Sequence, residues 1–160
     1  MSGFRGMSAL LRAVDAHADG RALERAVRQA GRTLVDLTLE RFRTETAPDG
    51  RPWRKSARAL AQGGVTLSDT GALRRSFSSQ QVSRDTVAVG TNARYARAHQ
   101  FGRTIVPKRG RVLRFTSLGR VVHARRVTLP ARPMLPERLS AAYEEAIARD
   151  CLAALPGVTP

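Results

Sequence analysis

Asp69-Thr70-Gly71-Ala72 is the stretch of this chain with the plainest chemical promise. An Asp-Thr-Gly turn positions the carboxylate of an aspartic protease, in which two such groups share one proton. One copy per chain would require a homodimer. The neighbours argue against that chemistry: Val65-Thr66-Leu67-Ser68 is a poor supporting strand, and Arg74 and Arg75 crowd positive charge beside the carboxylate, which disfavours a shared proton. His99 is the second candidate. A nucleophile triad needs its base held by a carboxylate, and the acid nearest to His99 in sequence is Asp85. Neither Cys nor carboxylate stands at ligand spacing to His17, His99 or His123, so no metal site is expected. A strand leading through a Gly-rich loop into a helix is also missing, so no nucleotide or other cofactor is expected. The residues therefore predict no catalytic set and no enzyme. His99 and Gln100 read as buried side chains that hydrogen-bond loop backbone, where an unpaired group costs about 1–3 kcal/mol.

The elements around these residues follow from periodicity and punctuation. Ala9, Leu10, Ala13 and Val14 suggest a short helix over 8–17, broken at Asp19-Gly20. Leu23, Val27, Ala30, Leu34, Leu37 and Phe42 form one stripe of a long helix over 21–45, with Gly31 as a point where another element can approach. Ala47-Pro-Asp-Gly-Arg-Pro-Trp53 is a turn, and Trp53, the lone tryptophan, reads as a plug at one end of a core. Residues 54–66 read as a flexible loop with a short helix over 56–61. Ser68–Arg75 is a capped turn or single helical turn. Residues 75–82 and 86–90 predict a β-hairpin around Ser83-Arg84-Asp85, and Gly90-Thr-Asn92 ends its second strand. A short helix over 94–101 carries Tyr95, His99, Gln100 and Phe101 and stops at Gly102. Residues 103–129 predict one long, twisted, basic hairpin. Pro130–Pro136 must be extended. A last helix over 137–154 carries the stripe Leu139, Ala142, Tyr143, Ala146, Ile147 and Cys151, with Pro136 in its first turn.

This order predicts an α+β fold: a small antiparallel sheet from 75–82, 86–90 and the 103–129 hairpin, covered on one face by the long N-terminal and the C-terminal helix. The hairpin projects as an arm. Residues 1–20 form an N-terminal arm or short helix, 21–155 a single domain, and 156–160 a loose tail.

At 160 residues such a domain buries roughly 70% of the surface its unfolded chain exposes. No apolar run approaches the length of a membrane span, and the start lacks the apolar run and cleavage site of a signal peptide. The single cysteine excludes an internal disulfide and fits a reducing cytoplasm. The net charge of +15 is carried almost wholly by arginine, with two lysines. Residues 86–136 hold eleven Arg or Lys and no acid. Such a segment faces an acidic partner, nucleic acid or open solvent. Arg103, Lys108, Arg109, Arg111, Arg114, Arg120, Arg125 and Arg126 are its candidate contacts to a partner or to DNA.

Four pieces stand in order: Pro48-Asp-Gly-Arg-Pro-Trp53; Asp69-Thr-Gly-Ala-Leu-Arg-Arg-Ser76; Val89-Gly-Thr-Asn92 with Tyr95-Ala96 and His99-Gln-Phe-Gly102; and Pro130-Ala-Arg-Pro-Met-Leu135. Together they resemble the phage virion morphogenesis family, the Mu-like tail-completion group of tailed bacteriophages, over residues 20–150. On that resemblance Trp53, Asp69, Thr70, Gly71, Gly90, Asn92, Tyr95, His99, Gln100, Phe101 and Gly102 form the structural core motif. It implies a non-enzymatic virion protein at the head–tail junction, made in the host cytoplasm, with a fold related to tail-completion and tail-terminator proteins. It further implies a ring of subunits, such as a hexamer, contacting adjacent neck, tail-tube or terminator proteins and no membrane, with packaged DNA within reach. The segment 103–129 is less typical of the family pattern. The alternative function is nucleic-acid binding through residues 86–136. Few aromatics accompany the arginines there, so base stacking is expected to be limited.

Overall fold

The computed structural model describes residues 10–13, 15 and 20–155. Residues 10–13 and 15 are helical; the remainder of the expected 8–17 helix and the expected tail 156–160 lie outside the described residues. In chain order the elements are α1 (Arg21–Thr44), α2 (Ala57–Gln62), α3 (Ala72–Arg75), β1 (Phe77–Gln81), β2 (Val87–Thr91), α4 (Ala96–Phe101), β3 (Arg103–Ile105), β4 (Leu113–Ser117), β5 (Arg120–Ala124), β6 (Val127–Leu129) and α5 (Ala141–Ala153). The fold is α+β. Where the sequence suggests one domain over 21–155, contacts group the chain into two units. The first holds the chain up to Leu39, Phe77–Thr91 and the chain from Pro136; the second holds Glu40–Ser76 and Asn92–Leu135.

In the first unit α1 and α5 meet through small side chains. Ala22, Ala26, Ala148 and Cys151 are buried together with Leu10, Ile147 and Leu155. Of the predicted α1 stripe, Leu23, Val27, Ala30, Leu34 and Leu37 are only half-buried and Phe42 is buried; the other buried positions of the helix are Ala22, Ala26, Gly31, Thr33 and Thr38. Short side chains let backbones close in, and polar atoms then bridge the gap. The Cys151 thiol donates to the Ala26 carbonyl at 3.2 Å, and the Thr33 hydroxyl donates to Asp150 Oδ2 at 2.9 Å.

Helix α5 starts four residues later than the sequence suggests. Ser140, not Pro136, precedes its first turn, in the extended conformation an N-cap needs (φ −83°, ψ 163°). Leu139 therefore lies before the helix and is exposed, as is Ala142; the buried stripe is Tyr143, Ile147, Ala148 and Cys151.

The β1–β2 hairpin forms as predicted, with Phe77 opposite Thr91 and Gln81 opposite Val87. Gly90 does not end the strand but sits inside β2, opposite Ser78. Gly31 of α1 is the point of close approach. A Cβ there would lie 2.6 Å from Val87 Cγ2 and 2.9 Å from Ser79 Cβ.

The second unit begins at Glu40, in the last turns of α1. Glu45 takes the left-handed conformation (φ 54°) that follows many helices, and Trp53 N–H returns to the Glu45 carbonyl at 2.7 Å. Trp53 is buried, sits edge-on to Phe42 with ring centres 5.5 Å apart, and its indole N–H donates to the Pro133 carbonyl at 2.9 Å. Helix α2 is capped by the Ser56 hydroxyl, which accepts from Ala59 N–H. The segment read as a flexible loop is tied down. Thr66 is fully buried, its N–H donates to Glu45 Oε2 at 2.8 Å, and its hydroxyl accepts from Ser56 N–H.

The expected single sheet is replaced by three separate two-stranded antiparallel sheets. The 103–129 segment is a hairpin interrupted midway. β3 pairs with β6 and β4 with β5, but residues 106–112 on the outward path face only Arg125 and Arg126 on the return. Such an excess cannot be absorbed by a bulge of one residue, so the ladder breaks. At the tip Leu118 (φ 52°) and Gly119 (φ 75°) both take left-handed conformations, the two-residue turn that suits strand twist.

Candidate functional site

Three prolines, Pro130, Pro133 and Pro136, keep the segment between β6 and α5 out of regular structure, and such backbone needs partners for its polar groups. Helix α4 supplies them. The Gln100 amide donates to the Leu135 carbonyl at 2.8 Å and accepts from Met134 N–H at 2.8 Å and Leu135 N–H at 3.1 Å. The His99 carbonyl accepts from Arg132 N–H at 2.6 Å. Gly102 ends α4 with φ 72°, and a Cβ there would lie 2.9 Å from Ala131 N. Only glycine fits that crossing.

This bracket fixes Arg132, which is 5% exposed. Its Nε donates to the Arg54 carbonyl at 2.8 Å. It lines a cleft of about 620 Å³ whose other walls include Arg54, Lys55, Arg58, Asp69, Tyr95, His99, Leu129 and Pro130. Two cations of the cleft have carboxylate partners: Lys55 pairs with Glu45, and Arg58 Nε stands 3.5 Å from Asp69. Arg54 and Arg132 have none among the described residues. Burial, and then the charge of Arg54, push the Arg132 guanidinium below its usual range, yet arginine remains charged. A buried ion without a counter-ion carries a penalty of several kcal/mol.

Burial, and then the Arg132 charge, also push the His99 imidazole down, which favours its neutral form. The sequence suggests that the His99 side chain bonds loop backbone; instead its Nδ1 is buried with no hydrogen-bond partner, and the ring meets Tyr95 edge-on at 6.1 Å. Behind the cleft, burial alone would raise the Glu45 carboxyl, but hydrogen bonds from Lys55 and Thr66 pull it down to about 2.

The sequence-derived residues scatter around this centre. Trp53 and Gln100 lie in the framework of the second unit, and Asp69, Thr70, Gly71, Tyr95 and His99 line the cleft. Asp69 is exposed, and the only carboxylate among the described residues lining the cleft is its own. Phe101, exposed, and Gly102 border a second hollow of about 430 Å³ with Arg94, Arg97 and Arg103. Asn92 is exposed in the second unit, and Gly90 belongs to β2 of the first. Arg103, Lys108, Arg109, Arg111, Arg114, Arg120, Arg125 and Arg126 are all exposed. None makes an ion pair among the described residues. The sequence reading passes over Arg132, Arg54 and Glu45. The available signal for Arg132 is its place between Pro130 and Pro133, beside the apolar Met134 and Leu135.

Among the described residues no three His, Cys, Asp or Glu gather as metal ligands, and no helix is long and apolar enough to cross a membrane. What the second unit presents is a basic cleft and a basic hairpin. The phage virion morphogenesis family matches residues 5–155. The chain belongs to that family. No curated protein and no solved structure matches it. Membership of the virion morphogenesis family gives the chain a part in building a phage particle. In this virion morphogenesis protein the four ordered sequence pieces are largely those that tie the second unit: the turn before Trp53, the Asp69 turn, α4 and the Pro130–Leu135 segment.

Proposed function

We propose that this virion morphogenesis protein is a non-enzymatic structural component of the head–tail junction, completing the tail as a ring of subunits. The observation that carries the reading is the interrupted hairpin of the second unit. Phe115, Leu118 and Val121 are 37%, 48% and 52% exposed, and the eight cations along and beside these strands have no ion-pair partners among the described residues. Exposed apolar residues rimmed by unpaired arginines make a surface for a neighbour. Asp69, paired with Arg58, and His99, without a carboxylate, favour binding over bond-making chemistry. The test is removal of the gene from a phage that carries it, followed by electron microscopy of the particles. Heads and tails that fail to join are expected; normal infectious particles would overturn the reading.

The same unpaired cations favour a second reading, contact with nucleic acid. Each phosphate contact steepens the salt dependence of binding by roughly 0.9 log units per log salt. A titration at two salt concentrations separates the two: binding that persists near physiological salt supports DNA contact, and binding that vanishes there marks incidental attraction.

A further inference from the structure

We infer that the cleft of the second unit is a docking pocket for an acidic segment of a partner protein, whose Asp or Glu carboxylate sits against Arg132 and Arg54. The choice of a protein partner rests on the proposed role in joining virion components; the pocket itself rests on geometry.

Arg132 is nineteen-twentieths buried, yet of its guanidinium donors only Nε is bonded to protein among the described residues. The residue lines the cleft. Its position is enforced from both sides, by its own N–H on the His99 carbonyl and by Nε on the Arg54 carbonyl. A flexible surface arginine would swing to solvent; this one is held at 5% exposure. Arg54 adds a second positive charge, also without a carboxylate among the described residues. A carboxylate entering the cleft offsets the buried charge of Arg132 and the repulsion between it and exposed Arg54, and a guanidinium fork matches it bidentately.

The rest of the wall argues for a carboxylate on a peptide over a phosphate backbone. Leu67, Tyr95, Leu129 and Pro130 supply apolar surface suited to the stem of a side chain and its neighbours. Asp69 also lines the cleft, where it repels a continuous polyanion but tolerates a single carboxylate placed at Arg132. Lys55 and Arg58, held by Glu45 and Asp69, contribute shape more than free charge.

The experiment uses the full chain and a fluorescein-labelled nonapeptide of Gly, Ala and Leu carrying two Glu, read by fluorescence anisotropy. Its Glu→Gln counterpart and a twelve-nucleotide dT strand serve as competitors. Arg54→Ala leaves the backbone carbonyl that holds Arg132 in place, and Arg132→Met removes the buried charge while keeping bulk. Trp53 fluorescence reports that each variant is folded. The double variant Arg114→Ala, Arg120→Ala lowers net charge elsewhere. Loss of at least tenfold in affinity is expected in Arg54→Ala, with less than twofold loss in the double variant and no competition by the Gln peptide. Failure of the wild-type chain to bind the Glu peptide, or equal losses in the cleft and hairpin variants, would overturn the pocket. Displacement of the peptide by dT that depends on Arg54 would overturn the protein partner in favour of nucleic acid. Peptide binding that meets these expectations stands even if particles lacking the gene join normally, an outcome that would defeat the head–tail role alone.

Discussion

In the first unit, α1 meets α5 through Ala22, Ala26, Ala148 and Cys151, with a thiol and a hydroxyl bridging what the small side chains leave. The second unit is held by long side chains with polar ends that reach from one segment to the backbone of another: Gln100 to Met134 and Leu135, Arg132 to Arg54, Trp53 to Pro133, Glu45 to Thr66. Losing a methyl group from a packed face is a graded loss. Losing a side chain that satisfies buried backbone leaves donors and acceptors stranded, each at its full desolvation penalty. The first unit should thus yield gradually to substitution and the second abruptly, and the second is where charge and pH enter.

The largest effect is expected from Gln100→Ala, which strands two N–H groups and a carbonyl of the Met134–Leu135 segment. A destabilisation of about 3 kcal/mol is expected from urea unfolding followed by Trp53 fluorescence; a change under about 1 kcal/mol would break the contrast. Glu45→Gln sharpens it through pH. The Glu45 carboxyl titrates near 2 in the folded chain, against an ordinary value of 4.5. Its stabilisation, about 3 kcal/mol at most, is fully present above pH 4.5 and lost as pH falls toward 2. In Glu45→Gln that part of the pH dependence should vanish, as read from urea midpoints between pH 3 and 6.

Gly31→Ala tests the first unit. Helix propensity alone would stabilise it by about 1 kcal/mol, but the methyl meets the stiff Val87 side chain and the Ser79 Cβ, so a net loss of about 1–2 kcal/mol is expected. Pairing it with Val87→Ala, which trims the clash, should recover part of that loss. The smallest change, Leu118→Asn at the hairpin tip, should leave stability unchanged or raise it by about 0.5–1 kcal/mol, because asparagine tolerates the left-handed backbone better than leucine.

The contrast also decides what the sequence could reveal. Helix α1, the β1–β2 hairpin and α5 belong largely to the first unit, where periodicity is the organising signal, and their existence was legible. The start of α5 was not, because both Pro136 and Ser140 are acceptable ways to begin a helix and only Ser140 has the required backbone. Strand residues in 103–129 were recognisable by type. The five extra residues that split the ladder were not, since nothing in a β-branched run records what it will face. The cleft was the least visible part. Arg132 is one arginine in a chain crowded with them, and burial of a charge by backbone hydrogen bonds leaves no periodic trace. Asp69 and His99, conspicuous as residue types, line that cleft, while Glu45 and Arg132, inconspicuous ones, anchor its framework.

Cys151 is 1% exposed, and burial, then the nearby Asp150, push its thiol up to about 11. Only the thiolate attacks disulfides or reacts readily with oxidants, so at neutral pH this sulfur is both hidden and in its inert form. A phage particle leaves the reducing interior of its host for air and water, where an accessible thiol would cross-link or oxidise. Burial and protonation shield the one sulfhydryl of this chain from both reactions.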